Sequence, residues 1–509
     1  MANKLYIFGI GGTGSRVIKA FAMLAAAGVK VNNKFETVIP IIIDPDISNG
    51  DLNRTKDILR LYQEIRNEIH EPKNFFGQNI KTINEISNKE EQITINPDYF
   101  HFKLKGVENE KFRDFIGYDT LAEDFKSEKF DKGFIDLLFS NKNLEADLDV
   151  GFKGNPNMGA IVLDQFTSSE NFKKFANTFS DGDAIFIINS IFGGTGAAGY
   201  PLILKNLRGN TALPRYDKIK DAYIGAFTML PYFALKEQDE IDAESFEHKS
   251  IAALKYYERT IFKGKDKVDY QYIIGNQGND NFEEYSVGGS TQKNKAHFFE
   301  LAGALAILDF ANQTLNEKDK NRSESFIRKF GVENFKDSTI AFKNLNADNN
   351  KQIAKELTKF KLFSSYLNDA LPKTLGKVRW TKRGFAQIFG KKELNYSILD
   401  KLYFSSNDYE NQVKRFMNYY DEWLNEMEQN KPAFSPFRTI NYDNALSIIK
   451  GTDIDKGFKE IDVKNNELIN NKDIRDHDTD KKHSTLIKLF DNSLEEVLSE
   501  NEVLKTVIN

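Results

Sequence analysis

Two short stretches of the 509-residue chain carry the residue types that cradle phosphate. The first is Gly9-Ile10-Gly11-Gly12-Thr13-Gly14-Ser15, and the second is Gly193-Gly194-Thr195-Gly196-Ala197-Ala198-Gly199. Glycine suits such a loop because a phosphate must come close to the backbone, where a Cβ would stand in its way. Amides left free at a helix start then donate to phosphate oxygens, helped by the helix dipole. Thr13, Ser15 and Thr195 add hydroxyl donors. Neither loop ends in the Gly-Lys-Ser/Thr of a P-loop, so backbone amides and Mg2+ must neutralise the phosphate charge. Either loop alone is also what a tight strand-to-helix turn looks like. Two of them in one α/β unit are better explained by one ligand with several phosphates, gripped from both sides.

The flanking segments have the pattern needed to position these loops. KLYIFG at 4–9 is an apolar run that stops at glycine, and Val17, Ile18, Phe21, Leu24 and Ala25 then recur at helical spacing. TVIPIII at 37–43 is a second apolar run ending at Asp44-Pro45-Asp46, although Pro40 sits awkwardly in a central strand. Strand, glycine turn, helix and a strand ending in an acid form the opening of a nucleotide-binding α/β fold. Residues 51–150 are charged and rich in Asn and Lys, and read as an insertion with short amphipathic pieces at 57–69 and 130–139. The α/β rhythm resumes with GFKGNPNMG at 151–159 and DAIFIINSIFGGTGAAGYPLILKNL at 183–207, followed by strand candidates at 221–233 and 269–277. HFFELAGALAILDFA at 297–311 reads as a long apolar helix. Beyond it the chain reads as mainly helical, with a polar linker over 457–484 and an amphipathic helix over 486–498.

Composition excludes several classes of chemistry. With no cysteine, disulfides, thiolate zinc sites, iron–sulfur clusters and cysteine nucleophiles are ruled out. Seventy Lys and Arg against seventy-five Asp and Glu leave a formal charge of −5, with no global pull toward nucleic acid. The hydrophobic fraction of 40% and charged fraction of 28% are those of a water-soluble globular chain, long enough for two or three domains. AFAMLAAAG at 20–28 could pass for part of a signal peptide, but Arg16 and Lys19 interrupt the apolar run. The expectation is a cytoplasmic protein without membrane insertion.

Several segments, in order, resemble those of the tubulin/FtsZ superfamily. FGGTGAAGYP at 192–201 looks like its signature phosphate loop, with Ala198 in place of the last glycine, and GIGGTGSR at 9–16 is similar to its first glycine loop. GNPNMG at 154–159 resembles the loop that closes over the terminal phosphate, FTMLPYF at 227–233 the sugar-side loop, and IIGNQ at 273–277 the base-reading segment. Residues 292–312 then look like the central helix. The resemblance implies a Rossmann-type α/β domain over 1–312, split by the insertion at 51–150, with a mainly helical region at 313–509. It implies GTP/GDP and Mg2+ as ligands, and self-assembly into filaments. Gly9, Gly11, Gly12, Thr13, Gly14, Ser15, Gly193, Gly194, Thr195 and Gly196 would hold phosphates, with Asn155 and Gly159 at the terminal one. Asp44 or Asp46 would lie by the metal or the ribose, Pro231 by the sugar, Asn276 by the base, and Asn294 or His297 would face the base. His297 has a plainer alternative, a hydrogen-bonded histidine on a buried helix.

In that superfamily hydrolysis is completed by an acid that one subunit presents to the next. The stretch after the central helix reads Asn316-Glu317-Lys318-Asp319-Lys320, without the usual Asn-x-Asp-x-x-Asp pattern, which leaves Glu317 and Asp319 as catalytic candidates and Asp348 as a weaker rival. The insertion and the helical region are also possible surfaces for protein partners. A non-hydrolysing, nucleotide-sensing scaffold is the alternative from a different class. A third reading starts from the first loop and DPDISNGDLNR at 44–54, which look like the ATP site of ThiF-type adenylating enzymes with Asp46, Asn53 and Arg54 as ligands. It lacks the transfer and zinc cysteines, and leaves the second glycine loop unexplained.

Overall fold

The apolar runs assemble into one parallel sheet in the computed structural model, which describes residues 3–87, 95–121, 131–149, 151–152, 154–232, 243–264, 266–275, 292–315, 325–329, 339–382, 398–474 and 481–508. Its strands are β1 Asn3–Ile10, β2 Phe35–Ile43, β3 Asn79–Ile80, β4 Ala184–Ser190, β5 Tyr223–Met229, β6 Tyr270–Ile274 and β7 Phe326–Lys329. They lie in the order β3-β2-β1-β4-β5-β6-β7, and every pairing is parallel. Parallel strands need crossover helices on both faces, so their residues are buried on both sides. Along β1, Leu5 and Ile7 enter one core while Tyr6, Phe8 and Ile10 enter the other. This doubly wound, Rossmann-type sheet is the fold that the tubulin/FtsZ resemblance implies.

Pro40 does lie within β2, paired opposite Ile7. Val38 and Ile42 turn their carbonyls away from β1, accepting from Lys81 N and Phe102 N respectively. Pro40 shares their parity, and β3 pairs only with Thr37 and Val38, so no ladder partner there requires its missing N–H.

Helix Gly11–Ala26 packs on one face of the sheet beside helix Gly50–Glu68 and the central helix, Phe298–Gln313. The central helix is apolar nearly all round, as a helix covered on all sides must be. Helices Pro156–Ser168 and Gly194–Gly209 pack together on the opposite face. The signal-like AFAMLAAAG is the buried end of the first helix. Among the described residues, no helix is long and apolar enough to cross a membrane.

Three segments differ from the sequence reading. Residues 51–80, inside the expected insertion, supply the crossover helix and β3: Leu52, Thr55, Ile58, Leu59, Tyr62 and Ile65 form a buried stripe at helical spacing. Strand β7 lies beyond residue 312, and the core on the central-helix side runs without interruption into C-terminal helices Ala347–Ser365, Arg415–Gln429 and Lys482–Ser499. The stretch read as a linker contains helix Phe458–Leu468, whose polar Asp462 is buried because Tyr366, Trp380 and Tyr442 all donate to it. Polarity there is satisfied inside the protein rather than by solvent.

Candidate phosphate site at the switch point

The two glycine loops meet where the strand order reverses, between β1 and β4. Crossovers leave this point in opposite directions, opening a crevice at the carboxyl ends of the strands, the usual ligand position in such sheets. Helix Gly11–Ala26 starts directly from β1, with Gly11 at φ +70°, a conformation that side-chain-bearing residues rarely adopt. A Cβ placed on Gly11 would lie 3.5 Å from Thr195 Cβ and 3.8 Å from Gly196 N. The loops are therefore within van der Waals reach of each other. Gly9 and Gly14 face one another so closely that a Cβ on Gly14 would lie 2.3 Å from Gly9 C, which makes them packing residues between strand and helix.

The third loop closes on the second. A Cβ on Gly194 would come within 2.7 Å of Phe152 Cβ and 3.1 Å of Asn155 N, and one on Gly159 within 2.7 Å of Gly194 O. The Asn155 side chain caps its own helix, accepting from Asn157 N at 3.1 Å and Met158 N at 3.3 Å. Ser190, at the end of β4, lies beneath Gly193 and Gly196.

Four helix starts around the sheet are capped by side chains: Asn49, Asn155, Ser169 and His297 each accept from a first-turn amide. The helices beginning at Gly11 and Gly194 have no side-chain cap and no acid in the first turn. Their first-turn amides and dipoles point to the crevice with no anionic side chain to complete them. Thr13 and Thr195 are nearly buried beside them, and the buried Ser15 Oγ has no hydrogen-bond partner.

Acids flank the crevice on the β2 side. Ile10 pairs with Ile43, so Asp44 follows at the level of Gly11. Asp44 accepts from Asp46 N at 3.1 Å, and Asp46 accepts from the Ser48 amide at 3.1 Å and hydroxyl at 2.7 Å. Burial pushes the Asp44 carboxyl up to about 7. His101, held near 4 by burial, donates from Nε2 to the Asp44 carbonyl at 2.8 Å. Among the described residues, no group of three or more His, Asp or Glu could hold a metal by itself. The donor set fits Mg2+ held by one or two carboxylates, with phosphates and water completing the shell.

Arg16 enters the sequence reading only as a charge that interrupts an apolar run, without a place in the site. It is fully buried directly behind the first loop, with Nη1 3.6 Å from where a Cβ on Gly12 would stand. Its Nε donates to Glu300 Oε1 at 2.6 Å, Nη2 to Tyr232 Oη at 3.0 Å and Nη1 to Asp51 Oδ2 at 3.4 Å. The available signal was a charge within the apolar stripe of a helix.

The base-side candidates separate. Pro231 and Tyr232 follow β5 in the loop over the central helix, where Tyr232 packs on His297 with ring centroids 4.8 Å apart. Asn294 donates its side-chain amide to Asp51 at 2.9 Å. His297 is 5% exposed; its Nδ1 accepts from Phe299 N at 3.2 Å and its Nε2 donates to Lys431 O at 3.2 Å. Both ring nitrogens are occupied, as the plainer of its two readings expects. Asn276, Glu317 and Asp319 lie outside the described residues. Arg54, a ligand in the adenylating-enzyme reading, is tied instead to Glu426 at 2.6 Å and Asn294 O at 2.9 Å.

Burial holds His297 at about 4, below its ordinary 6.5. The unfolded chain therefore takes up this proton first, and stability is lost as pH falls from 6.5 toward 4, while it is fully present above that window. We expect the thermal-midpoint advantage of wild type over H297Q, measured near pH ~7.5, to shrink by pH ~4.5. A difference independent of pH would contradict this.

No family model matches the chain, and no curated protein sequence matches it. Among solved structures, it is similar to CetZ from Methanosaeta thermophila strain DSM 6194, at 15% identity and a TM-score of 0.28 over 62% of this chain and 53% of that one. It is also similar to CetZ2 from Haloferax volcanii, described as a GTPgS bound protofilament, at 14% identity and a TM-score of 0.27, over 61% and 57% of the two chains. The chain thus spans little more than half the length of these structures.

Proposed function

We propose that this chain is a tubulin/FtsZ-like GTPase that binds one guanosine triphosphate between its glycine loops and self-assembles when it is bound. The observation that supports this most is the meeting of two helix starts without side-chain caps at the β1/β4 switch point, Gly11 against Thr195. One such start would hold an anion; two facing starts suit a chain of phosphates.

In this reading the amides of Gly11, Gly12 and Thr13 and of Gly194, Thr195 and Gly196 hold phosphate oxygens, with the Thr13, Ser15 and Thr195 hydroxyls adding donors. Asp44 or Asp46 would hold Mg2+ through the nucleotide, and that cation would neutralise phosphate charge. Asn155 and Gly159 close over the terminal phosphate, Pro231 and Asn276 lie on the sugar and base side, and Asn294 follows the Asp51 carboxylate. Glu317 or Asp319, presented to a neighbouring subunit, would orient the attacking water. Catalysis then comes from positioning and from amide dipoles aimed at charge that develops on the phosphoryl oxygens.

Phosphate release at rising protein concentration, read alongside light scattering, tests the proposal. With GTP and Mg2+, both signals should rise more steeply than linearly with protein. Tight binding with flat, negligible hydrolysis would favour a nucleotide-sensing scaffold, a reading encouraged by the continuous core that joins the C-terminal helices to the sheet. T195A, which removes one hydroxyl donor, should weaken binding by roughly fivefold in a fluorescent-nucleotide titration. Unchanged affinity would remove that hydroxyl from the site.

A further inference from the structure

Behind the first glycine loop lies a connected set of buried charges that phosphate binding does not itself use. Arg16, Lys19 and Arg54 face Asp51, Glu300 and Glu426, so their formal charge balances. The set joins the loop's own helix, the start of helix Gly50–Glu68, the central helix, and helix Arg415–Gln429 from the C-terminal region. Glu426 is its outer member: it takes Arg54 at 2.6 Å and the amide of Ala296 at 2.8 Å, with Lys19 at 3.9 Å. Further along the same face, Glu422 pairs with Lys293 at 2.6 Å, and Tyr419 and Arg415 reach Asp57 at 2.8 and 2.6 Å. Residues 415, 419, 422 and 426 repeat at helical spacing, so one side of this helix is attached by charge.

Taking the glycine loops as the nucleotide site, we infer that Glu426 is a positioning residue for that site and that nucleotide binding is linked to the docking of helix Arg415–Gln429. Arg16 lies on the loop's own helix, behind Gly12, with Nη1 3.6 Å from where a Cβ there would stand, and Arg16 depends on Glu300 and Asp51. Asp51 is already shared, with Arg54 at 3.5 Å and the Asn294 amide at 2.9 Å. Without Glu426, Arg54 is left with Asp51 at 3.5 Å and Glu422 at 3.9 Å, the latter already paired with Lys293, so Arg54 and Lys19 draw Asp51 and Glu300 from Arg16, because close charges in a dry interior compete strongly. The loop then loses the support that holds its amides in register. Linkage runs both ways: whatever fixes the loop must also steady the helix that supplies Glu426.

Hydrogen exchange of the full chain with and without Mg2+ and GTP tests this. Exchange should slow at 9–15 and 193–199, and also, by about fivefold or more, across 415–429, beyond any change in helix Glu170–Thr178 on the opposite face. Slowing at the loops with none at 415–429, or only to the extent seen at 170–178, would overturn the linkage while leaving the nucleotide site intact. No slowing at the loops would remove the basis of both. In a second arm, E426Q should raise the nucleotide dissociation constant about tenfold, and K19M with E426Q, which restores the charge balance, should recover most of it. Wild-type affinity in E426Q would overturn the inference; if E426Q does not fold, the exchange measurement decides alone.

Discussion

We expect G194V to weaken nucleotide binding severely while leaving the fold in place. A Cβ at this position already meets Phe152 Cβ at 2.7 Å and Asn155 N at 3.1 Å, and valine adds two methyl groups beyond it. Relief is possible only by moving the 152–159 loop away or by pushing the start of helix Gly194–Gly209 out of line. Either shift withdraws amides from the crevice, and in a dry site each amide turned away from a phosphate oxygen weakens binding strongly. We expect a rise in dissociation constant of about 100-fold or more, equivalent to about 3 kcal/mol. The same crowding should cost about 1–3 kcal/mol of stability, well below what would unfold a chain with so extensive a core. Fluorescent-nucleotide titration beside denaturant unfolding separates the two effects. Wild-type affinity in a folded G194V protein would show that the phosphates lie elsewhere.

R16M is the more destructive substitution for stability. The guanidinium is fully buried, and its removal leaves Glu300 in the interior without its ion-pair partner and Asp51 with only Arg54 and Asn294. Glu300 Oε2 already has no hydrogen-bond partner, so little remains to compensate there. Breaking a buried ion pair from one side costs about 3–5 kcal/mol, because the stranded charge must be neutralised or solvated. Replacing both members together should cost less, since R16M with E300M puts apolar volume where the pair stood. Denaturant midpoints of the single and double variants check this. A double variant no more stable than R16M would place the cost in Asp51 or in poorer packing instead.

The parts of the molecule readable from sequence are those fixed by local geometry. A chain that turns from strand to helix against another backbone needs glycine, and Gly11 and Gly194 mark such turns without reference to distant residues. The succession of strands and helices along the chain follows from apolar runs that alternate with helical periodicity. Pro40 misled only because its position beside the short β3 depends on which strand pairs where. The crossover helix at 50–68 shows in the sequence only as an amphipathic piece at 57–69, because charge on its solvent face conceals its place against the sheet, although its inner stripe is regular. Helix 458–468 was hidden in the same way, by an aspartate that three distant aromatic residues satisfy.

The pairing of the charge set behind the first loop could not be read, although Arg16 and Lys19 stand out within an apolar run. Arg16 finds one partner 35 residues away and another 284 residues away, and no local pattern announces such pairs. His297 shows the converse. Its position at the start of the central helix is visible in sequence, but only the structure shows that Phe299 N and Lys431 O occupy both ring nitrogens.

Whether two loops jointly hold one nucleotide is decided by calorimetric titration of the full chain with GTP and Mg2+. We expect one triphosphate per chain, with that single site lost both in G11V, which forces a side chain into the φ +70° position, and in G194V. Two independent sites, or a single site that survives either substitution in a folded protein, would contradict joint binding.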